Sequence, residues 1–145
     1  MKPSLIVTKI WEDDDMIEVT LVVSDGKSVF ATEIYVGHSH FAKIVSELDT
    51  FKTHVHGGLY DIELGSFGPE YASGAARIRL HFHHMARICV SAFTESEFTE
   101  FSTKKIASRG ELYFHSEPAL LDNFIDELRR MSKRDLDSAT LPGRI

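Results

Sequence analysis

The chain of 145 residues contains one cysteine, Cys89, so it cannot form an intramolecular disulfide. No apolar run approaches the ~20 residues that a membrane-spanning helix needs. The run from Leu5 to Trp11 is interrupted by Lys9 and is too short for a secretory signal. Basic residues are few, because 16 lysines and arginines stand against 22 aspartates and glutamates, for a net charge of −6. We therefore expect a cytoplasmic protein that binds neither nucleic acid nor membrane.

Signatures of catalysis and of nucleotide binding are missing as well. No G-x-S-x-G element is present, and Cys89 falls inside a predicted strand, where no helix terminus would favour a thiolate. The pairs Gly57-Gly58 and Gly65-x-x-Gly68 are not followed by the Lys-Ser/Thr of a phosphate-binding loop. We therefore expect a protein that is not an enzyme, has no catalytic residues and carries no cofactor.

The composition that remains is typical of one soluble globular domain. Hydrophobic residues make up 43% of the chain and charged residues 26%. Residues 1–134 carry periodic apolar patterns and are predicted to form a single α+β domain. Residues 135–145 have no periodicity and are predicted to be a frayed C-terminal tail. No internal repeat is evident in the sequence.

The segment from Ala75 to Ala92 has the clearest pattern in the chain. Apolar residues alternate with arginine and histidine up to Phe82, and the alternation resumes after Met85. Successive side chains of a strand point to opposite faces, so one face of this segment is apolar and the other carries the polar groups and Cys89. The pattern predicts two antiparallel strands of a half-buried sheet.

Weaker patterns of the same kind predict the other strands, and two segments change to helical spacing. The apolar stripe of the first helix runs from Phe41 to Leu48, and that of the second runs from Leu120 to Met131. Ser39 and Ser116 are the predicted N-caps. The expected fold class is α+β, with two layers: a curved, mainly antiparallel sheet of about seven strands, and two helices packed on one of its faces.

The arginines of the 75–92 segment could form an anion site, but the predicted register favours ion pairs. If Ile62 lies opposite Ile78, then Glu63 lies opposite Arg77 and Asp61 lies opposite an arginine as well. Opposite charges directly across a ladder stabilise a sheet by roughly 0.2–1 kcal/mol each. We therefore interpret these charges as structural.

Eight histidines raise the alternative of a metal-binding module or a metal-dependent enzyme. The register sets His81 opposite Cys89, and His115 shares their face if its strand is the next neighbour. Two histidines and a cysteine can bind zinc or copper. No H-E-x-x-H or C-x-x-C motif is present, and no carboxylate is spaced to complete the set. We assign no metal ligand and keep this function as the alternative.

The segment from Thr94 to Arg109 is long for a connection within a compact domain. It mixes carboxylates with aromatic rings, which can anchor a protein partner while the carboxylates speed the encounter with a basic surface. The other interpretation is an irregular edge strand with both phenylalanines in the core. The predicted partner-binding residues are Glu95, Glu97, Phe98, Glu100 and Phe101.

A third hypothesis is a homodimer that uses the outer face of the sheet. Val22, Tyr35 and Phe93 interrupt the polar pattern of that face. Contiguous apolar groups on a surface mark an interface.

Three stretches carry a resemblance to known proteins: GHSHFAKIVSELDTF, GGLYDIELGSFGPEYASGAARIRLHFH and SEPALLDNFIDELRRM. From about Phe30 to Met131 the chain resembles a family of small uncharacterised bacterial α+β proteins. Some of these look like immunity proteins, which bind and neutralise a toxin in the same cytoplasm. The resemblance implies a protein partner, which we expect to be a basic toxin domain, and it transfers no residue roles.

Overall fold

The computed structural model describes residues 2–71, 73–84 and 86–144, so Met85, at the predicted turn after Phe82, and Ile145 lie outside it. The described residues form ten strands and two helices. In chain order these are β1 (Ser4–Glu12), β2 (Met16–Ser24), β3 (Val29–Gly37), α1 (His38–Phe51), β4 (Leu59–Leu64), β5 (Ala75–His84), β6 (Arg87–Glu95), β7 (Thr99–Phe101), β8 (Lys104–Ile106), β9 (Arg109–Ser116), α2 (Pro118–Ser132) and β10 (Ser138–Pro142).

The predicted α+β class and the antiparallel pairing are confirmed, but the strands do not form one sheet. They form a first sheet in the order β10-β1-β2-β3, a second sheet in the order β4-β5-β6-β9, and a separate β7-β8 pair. Alternation along a strand reveals which of its faces is apolar. It does not reveal which strand lies beside it, so the division into two sheets was not predicted.

The predicted register of the second sheet is confirmed. Ile62 lies opposite Ile78, and Leu80 lies opposite Val90. A shift of one residue would move every apolar side chain of a strand to the wet face, so the apolar pattern excludes the registers that differ by an odd number of residues.

The inner faces of both sheets and the apolar sides of both helices enclose one hydrophobic core. The predicted helical stripes are buried in it. Neither helix of the described residues is long and apolar enough to cross a membrane.

The predicted N-caps are wrong by one or two residues. Gly37 occupies the N-cap of α1 and Glu117 that of α2, and neither side chain makes a capping hydrogen bond. Ser116 belongs instead to β9, and its hydroxyl donates to the carbonyl of Pro142 at 2.7 Å. That bond ties the end of one sheet to the end of the other.

The predicted frayed tail is largely a strand. β10 pairs with β1, with Leu141 opposite Leu5 and Ala139 opposite Val7. The side chains of Ala139 and Leu141 are buried. Two inward apolar residues in a segment of five are too few to stand out in the sequence, and the partner strand lies at the other end of the chain.

The elements follow one topological pattern twice, although no repeat is evident in the sequence. The order β1-β2-β3-α1-β4 is repeated as β5-β6-β9-α2-β10, with β7 and β8 inserted between β6 and β9. The last strand of each half pairs with the first strand of the other half, because β4 pairs with β5 and β10 pairs with β1. A shift of 80 residues relates the buried positions of the helices, namely Phe41, Ile44, Val45, Leu48 and Phe51 in α1 and Leu121, Phe124, Ile125, Leu128 and Met131 in α2.

The same shift relates polar contacts of the two helices. Glu47 accepts a hydrogen bond from the Tyr60 hydroxyl at 2.9 Å, and its counterpart Glu127 accepts one from the Thr140 N–H at 2.9 Å. Each helix is thereby tied to the strand that follows it. Asp49 and Arg129 are also related by this shift, and they join the two helices directly. The Arg129 guanidinium donates a hydrogen bond to the Asp49 carboxylate at 3.0 Å.

The two sheets approach each other where residues 73–74 run beside β3. The Gly74 N–H donates to the carbonyl of Glu33 at 3.0 Å, and the Tyr35 N–H donates to the Ser73 hydroxyl at 3.3 Å. A Cβ atom at position 74 would overlap the Thr32 hydroxyl and lie 2.7 Å from the carbonyl oxygen of Glu95. The junction therefore requires glycine.

We expect Gly74→Ala to lower the free energy of unfolding by about 1–3 kcal/mol, because backbone atoms would have to move apart. Urea denaturation measures the change. Gly37→Ala is the matched control, because a Cβ there has its nearest neighbours 3.9 Å away. We expect the control to cost less than about 1 kcal/mol, mainly through the poorer N-cap. Equal losses in the two variants would contradict a tight junction at Gly74.

Candidate protein-binding surface

The predicted binding segment is a hairpin that prolongs the β6–β9 pair. Glu95 lies opposite Arg109 at the end of that pair, and the Ser96 N–H donates to the carbonyl of Ser108 at 2.9 Å. Beyond this point β7 and β8 pair with each other. All six of their residues are exposed, so this β7–β8 hairpin stands out from the core.

The four predicted binding residues beyond Glu95 are accessible to different degrees. Phe101 is 65% exposed, which rules out the interpretation that places both phenylalanines in the core. Glu97 and Glu100 are exposed as well, while Phe98 is half-buried. The Arg109 guanidinium lies 6.0 Å from the centre of the Phe98 ring, so Phe98 belongs to the base of the hairpin.

Glu95 is placed on the inside of the hairpin base rather than on its surface. Glu95 is only 5% exposed, and one of its carboxylate oxygens accepts a hydrogen bond from Arg109 Nε at 2.9 Å. The other oxygen accepts from the Gly68 N–H at 3.2 Å. A buried carboxylate with both oxygens bound cannot contact a partner, so Glu95 serves to fix the hairpin. Its predicted place in the contact surface does not fit this geometry.

On the outer face of the second sheet, Arg77 and Arg79 pair with carboxylates of the same chain, as the register predicted. Arg79 donates two hydrogen bonds to Asp61, at 2.8 and 3.0 Å, and this hydrogen-bonded guanidinium holds the pKa of Asp61 below its usual range. Arg77 lies 4.0 Å from the Glu63 carboxylate and 5.8 Å from the centre of the Phe67 ring. These arginines have partners within the chain and need no anion.

The histidine row forms as predicted, but it offers no metal site. His81 lies opposite Cys89, which lies opposite His115 on the next strand. Within residues 2–71, 73–84 and 86–144, no group of three or more His, Cys, Asp or Glu side chains could hold a metal ion. The alternative of a metal-binding module therefore has no ligand group in this part of the chain.

The outer face of the first sheet has a feature that sequence reasoning missed. Glu18 lies opposite Tyr35, and Thr20 lies opposite Glu33. Ser96 and Glu97, which lead into the β7–β8 hairpin, form the opposite wall of a cleft of about 350 Å³ that also reaches Ser73 and Thr32. Alternation in β2 and β3 indicates that these side chains face outwards. The approach of residues 96–97 depends on the sheet junction and leaves no local signal.

The apolar interruptions that suggested a homodimer do not share a face. Val22 and Tyr35 lie on the first sheet, and Phe93 lies on the second. The Phe93 ring is partly covered by Phe67, with ring centres 5.5 Å apart. The three residues therefore lie on two sheets and not on the one sheet that the hypothesis assumed, and the homodimer stays a prediction.

Comparison of the chain with protein-family models, with curated proteins and with solved structures gave no match. The resemblance to small bacterial immunity-like proteins stays a prediction.

Proposed function

We propose that this protein is a non-enzymatic binding domain that recognises a basic protein partner through the β7–β8 hairpin. The proposed partner is a toxin domain in the same cytoplasm, which would make the chain an immunity protein. The exposure of Phe101 is the observation that carries the proposal, because 65% of this large aromatic residue is in contact with water at the end of a projecting hairpin.

A phenyl ring held away from its own core is suited to filling a pocket on another protein. Interface energy is concentrated in a few such anchors, and the surrounding contacts mainly exclude water. Ile106, across the hairpin, is 37% exposed and extends the apolar contact. Glu97, just before β7, and Glu100, which lies opposite Lys105 across the hairpin, would attract a basic surface over a longer range.

The hairpin base is fixed, which lowers the cost of binding. A two-stranded hairpin alone is marginally stable in water. Here the ion pair between Glu95 and Arg109, at 2.9 Å, and the bond from the Ser96 N–H to Ser108 tie it to the second sheet. Ordering a loop on binding costs affinity, so a hairpin that is already ordered keeps more of its contact energy.

The test begins with the partner, taken from the product of the adjacent gene or captured from the native host and identified by mass spectrometry. Binding kinetics are then measured with the purified pair. We expect Phe101→Ala to raise the dissociation rate about tenfold or more, since an aromatic anchor contributes more than ~1 kcal/mol. We expect Glu97→Gln with Glu100→Gln to lower the association rate and to weaken its dependence on salt.

Tyr113→Ala is the matched control, because Tyr113 is an aromatic residue on the outer face of the second sheet and is 58% exposed. We expect this variant to bind as the wild type does. A dissociation rate that is unchanged in Phe101→Ala would contradict the proposal. So would a loss of folding stability in Phe101→Ala, which would show that the ring is structural.

A further inference from the structure

We propose that the cleft between the outer face of the first sheet and residues 96–97 receives an arginine side chain of the protein partner. This inference rests on the proposed function, because it names the chemistry that the same partner presents beside the hairpin. One wall of the cleft is formed by residues of β2 and β3, and the other is formed by Ser96 and Glu97.

The carboxylates of the cleft have no cation of their own. Glu18, Glu33 and Glu97 all line it, and none of them lies within 4.0 Å of a lysine or arginine nitrogen in the described part of the chain. Lys9, on the neighbouring strand, is bound at 2.8 Å by Glu12 and at 3.5 Å by Asp137. The cleft is therefore an unneutralised negative surface.

Two carboxylates of the other sheet are neutralised within the chain, unlike those of the cleft. On the outer face of the second sheet, Asp61 and Glu63 each lie opposite an arginine that pairs with them. The same alternation in the first sheet leaves Glu18 and Glu33 among threonine and tyrosine neighbours. No lysine or arginine of the described residues pairs with Glu18 or Glu33, so both carboxylates are free to bind a cation of a partner.

Aromatic rings beside the carboxylates favour a guanidinium over a simple ammonium. Trp11 and Tyr35 flank Glu18 on the neighbouring strands, and their rings meet edge to face with centres 6.2 Å apart. Tyr35 lines the cleft and is 40% exposed, and Trp11, beside it, is 48% exposed. An arginine side chain can stack on an aromatic ring and donate two parallel hydrogen bonds to a carboxylate, which a lysine cannot do.

The cleft and the hairpin form one continuous surface. Glu97 is part of the cleft wall and also leads directly into β7. One partner could therefore place an arginine in the cleft while a pocket on its surface takes Phe101. The carboxylates of the cleft favour a basic partner, while the hairpin contributes the aromatic anchor.

The test uses Trp11, the only tryptophan of the chain, as its probe. The wild-type protein is titrated at low salt with the peptide acetyl-Gly-Arg-Gly-Arg-Gly-amide, and the tryptophan fluorescence is recorded. The same peptide with citrulline in place of arginine keeps the size of the side chain and removes its charge. We expect a saturable change with the arginine peptide, and affinity at least about fivefold weaker for the citrulline peptide.

The double variant Glu18→Gln, Glu33→Gln should weaken binding of the arginine peptide by about fivefold or more. Glu111→Gln is the matched control, because Glu111 lies on the outer face of the second sheet. It should bind the peptide as the wild type does. An equal response to both peptides, or an equal loss in the double variant and the control, would overturn the inference. Thermal unfolding of the double variant verifies that it is folded.

The peptide lacks an aromatic pocket, so the same assay separates this inference from the proposed function. Phe101→Ala should leave peptide binding unchanged. If the double variant binds the arginine peptide normally while Phe101→Ala weakens the protein partner, the cleft inference is wrong and the proposed function stands. If the cleft selects arginine while Phe101→Ala leaves the partner's dissociation unchanged, the role proposed for the hairpin is wrong.

Discussion

Leu141→Ala is expected to lower the free energy of unfolding by about 2–5 kcal/mol, the range found for leucine truncations in protein cores. Leu141 is completely buried and lies opposite Leu5 in the outermost pair of the first sheet. Removing its side chain leaves a cavity between β10 and the core. Denaturation with urea, followed by circular dichroism, measures the loss.

Thr140→Ala is the control for this experiment. Its side chain points away from the core, and its N–H keeps the hydrogen bond to Glu127 because the backbone does not change. We expect a change within about 0.5 kcal/mol, as for most surface substitutions. A small effect of Leu141→Ala would mean that residues 138–142 fray in solution, as the sequence pattern indicates.

Leu80→Ala is expected to have an effect of the same size, about 2–5 kcal/mol. Leu80 is completely buried in β5, where it lies between Tyr60 on β4 and Val90 on β6. An interior strand is held by neighbours on both sides, so the surrounding side chains have little freedom to fill the space. The denaturant dependence of the unfolding free energy should not change, because the variant and the wild type newly expose nearly the same amount of surface when they unfold.

His81→Ala, one position further along β5, tests whether the loss of unfolding free energy depends on which face of the strand the side chain occupies. His81 points to the outer face, opposite Cys89. We expect a change within about 0.5 kcal/mol. A loss comparable to that of Leu80→Ala would mean that the apolar alternation of β5 does not separate an inner from an outer face.

The parts of this fold that the sequence predicted correctly are those that depend on local alternation. The faces of β5 and β6 follow directly from it, and so does the pairing of Asp61 with Arg79. Features that depend on distant contacts were not predicted. β10 pairs with a strand at the opposite end of the chain, and the two sheets meet at the contact between Gly74 and Glu33.

The candidate surface likewise has features that the local sequence indicates and features that depend on distant contacts. The mixture of carboxylates and aromatic rings between β6 and β9 drew attention to this segment but did not predict that it forms a hairpin, and the role of Phe101 as an anchor stays a prediction. The burial of Glu95 could not be predicted, because its partner Gly68 comes from a loop on the other side of β5. The cleft was missed because its two walls come from different halves of the topological pattern.

The exchange of terminal strands between the two halves has a consequence for folding during synthesis. β1 is the first strand to be made, but its partner β10 is made last. Until Pro142 has emerged from the ribosome, one edge of β1 and the inward side chains of Leu5 and Val7 are without the strand that covers them. An open apolar edge is a site for pairing with other chains. Contacts between the ends of a chain also slow folding, because a long loop must close first. The first sheet is therefore completed only once residues 138–142 have been made, and until then β1 carries an open edge at which the nascent chain can aggregate.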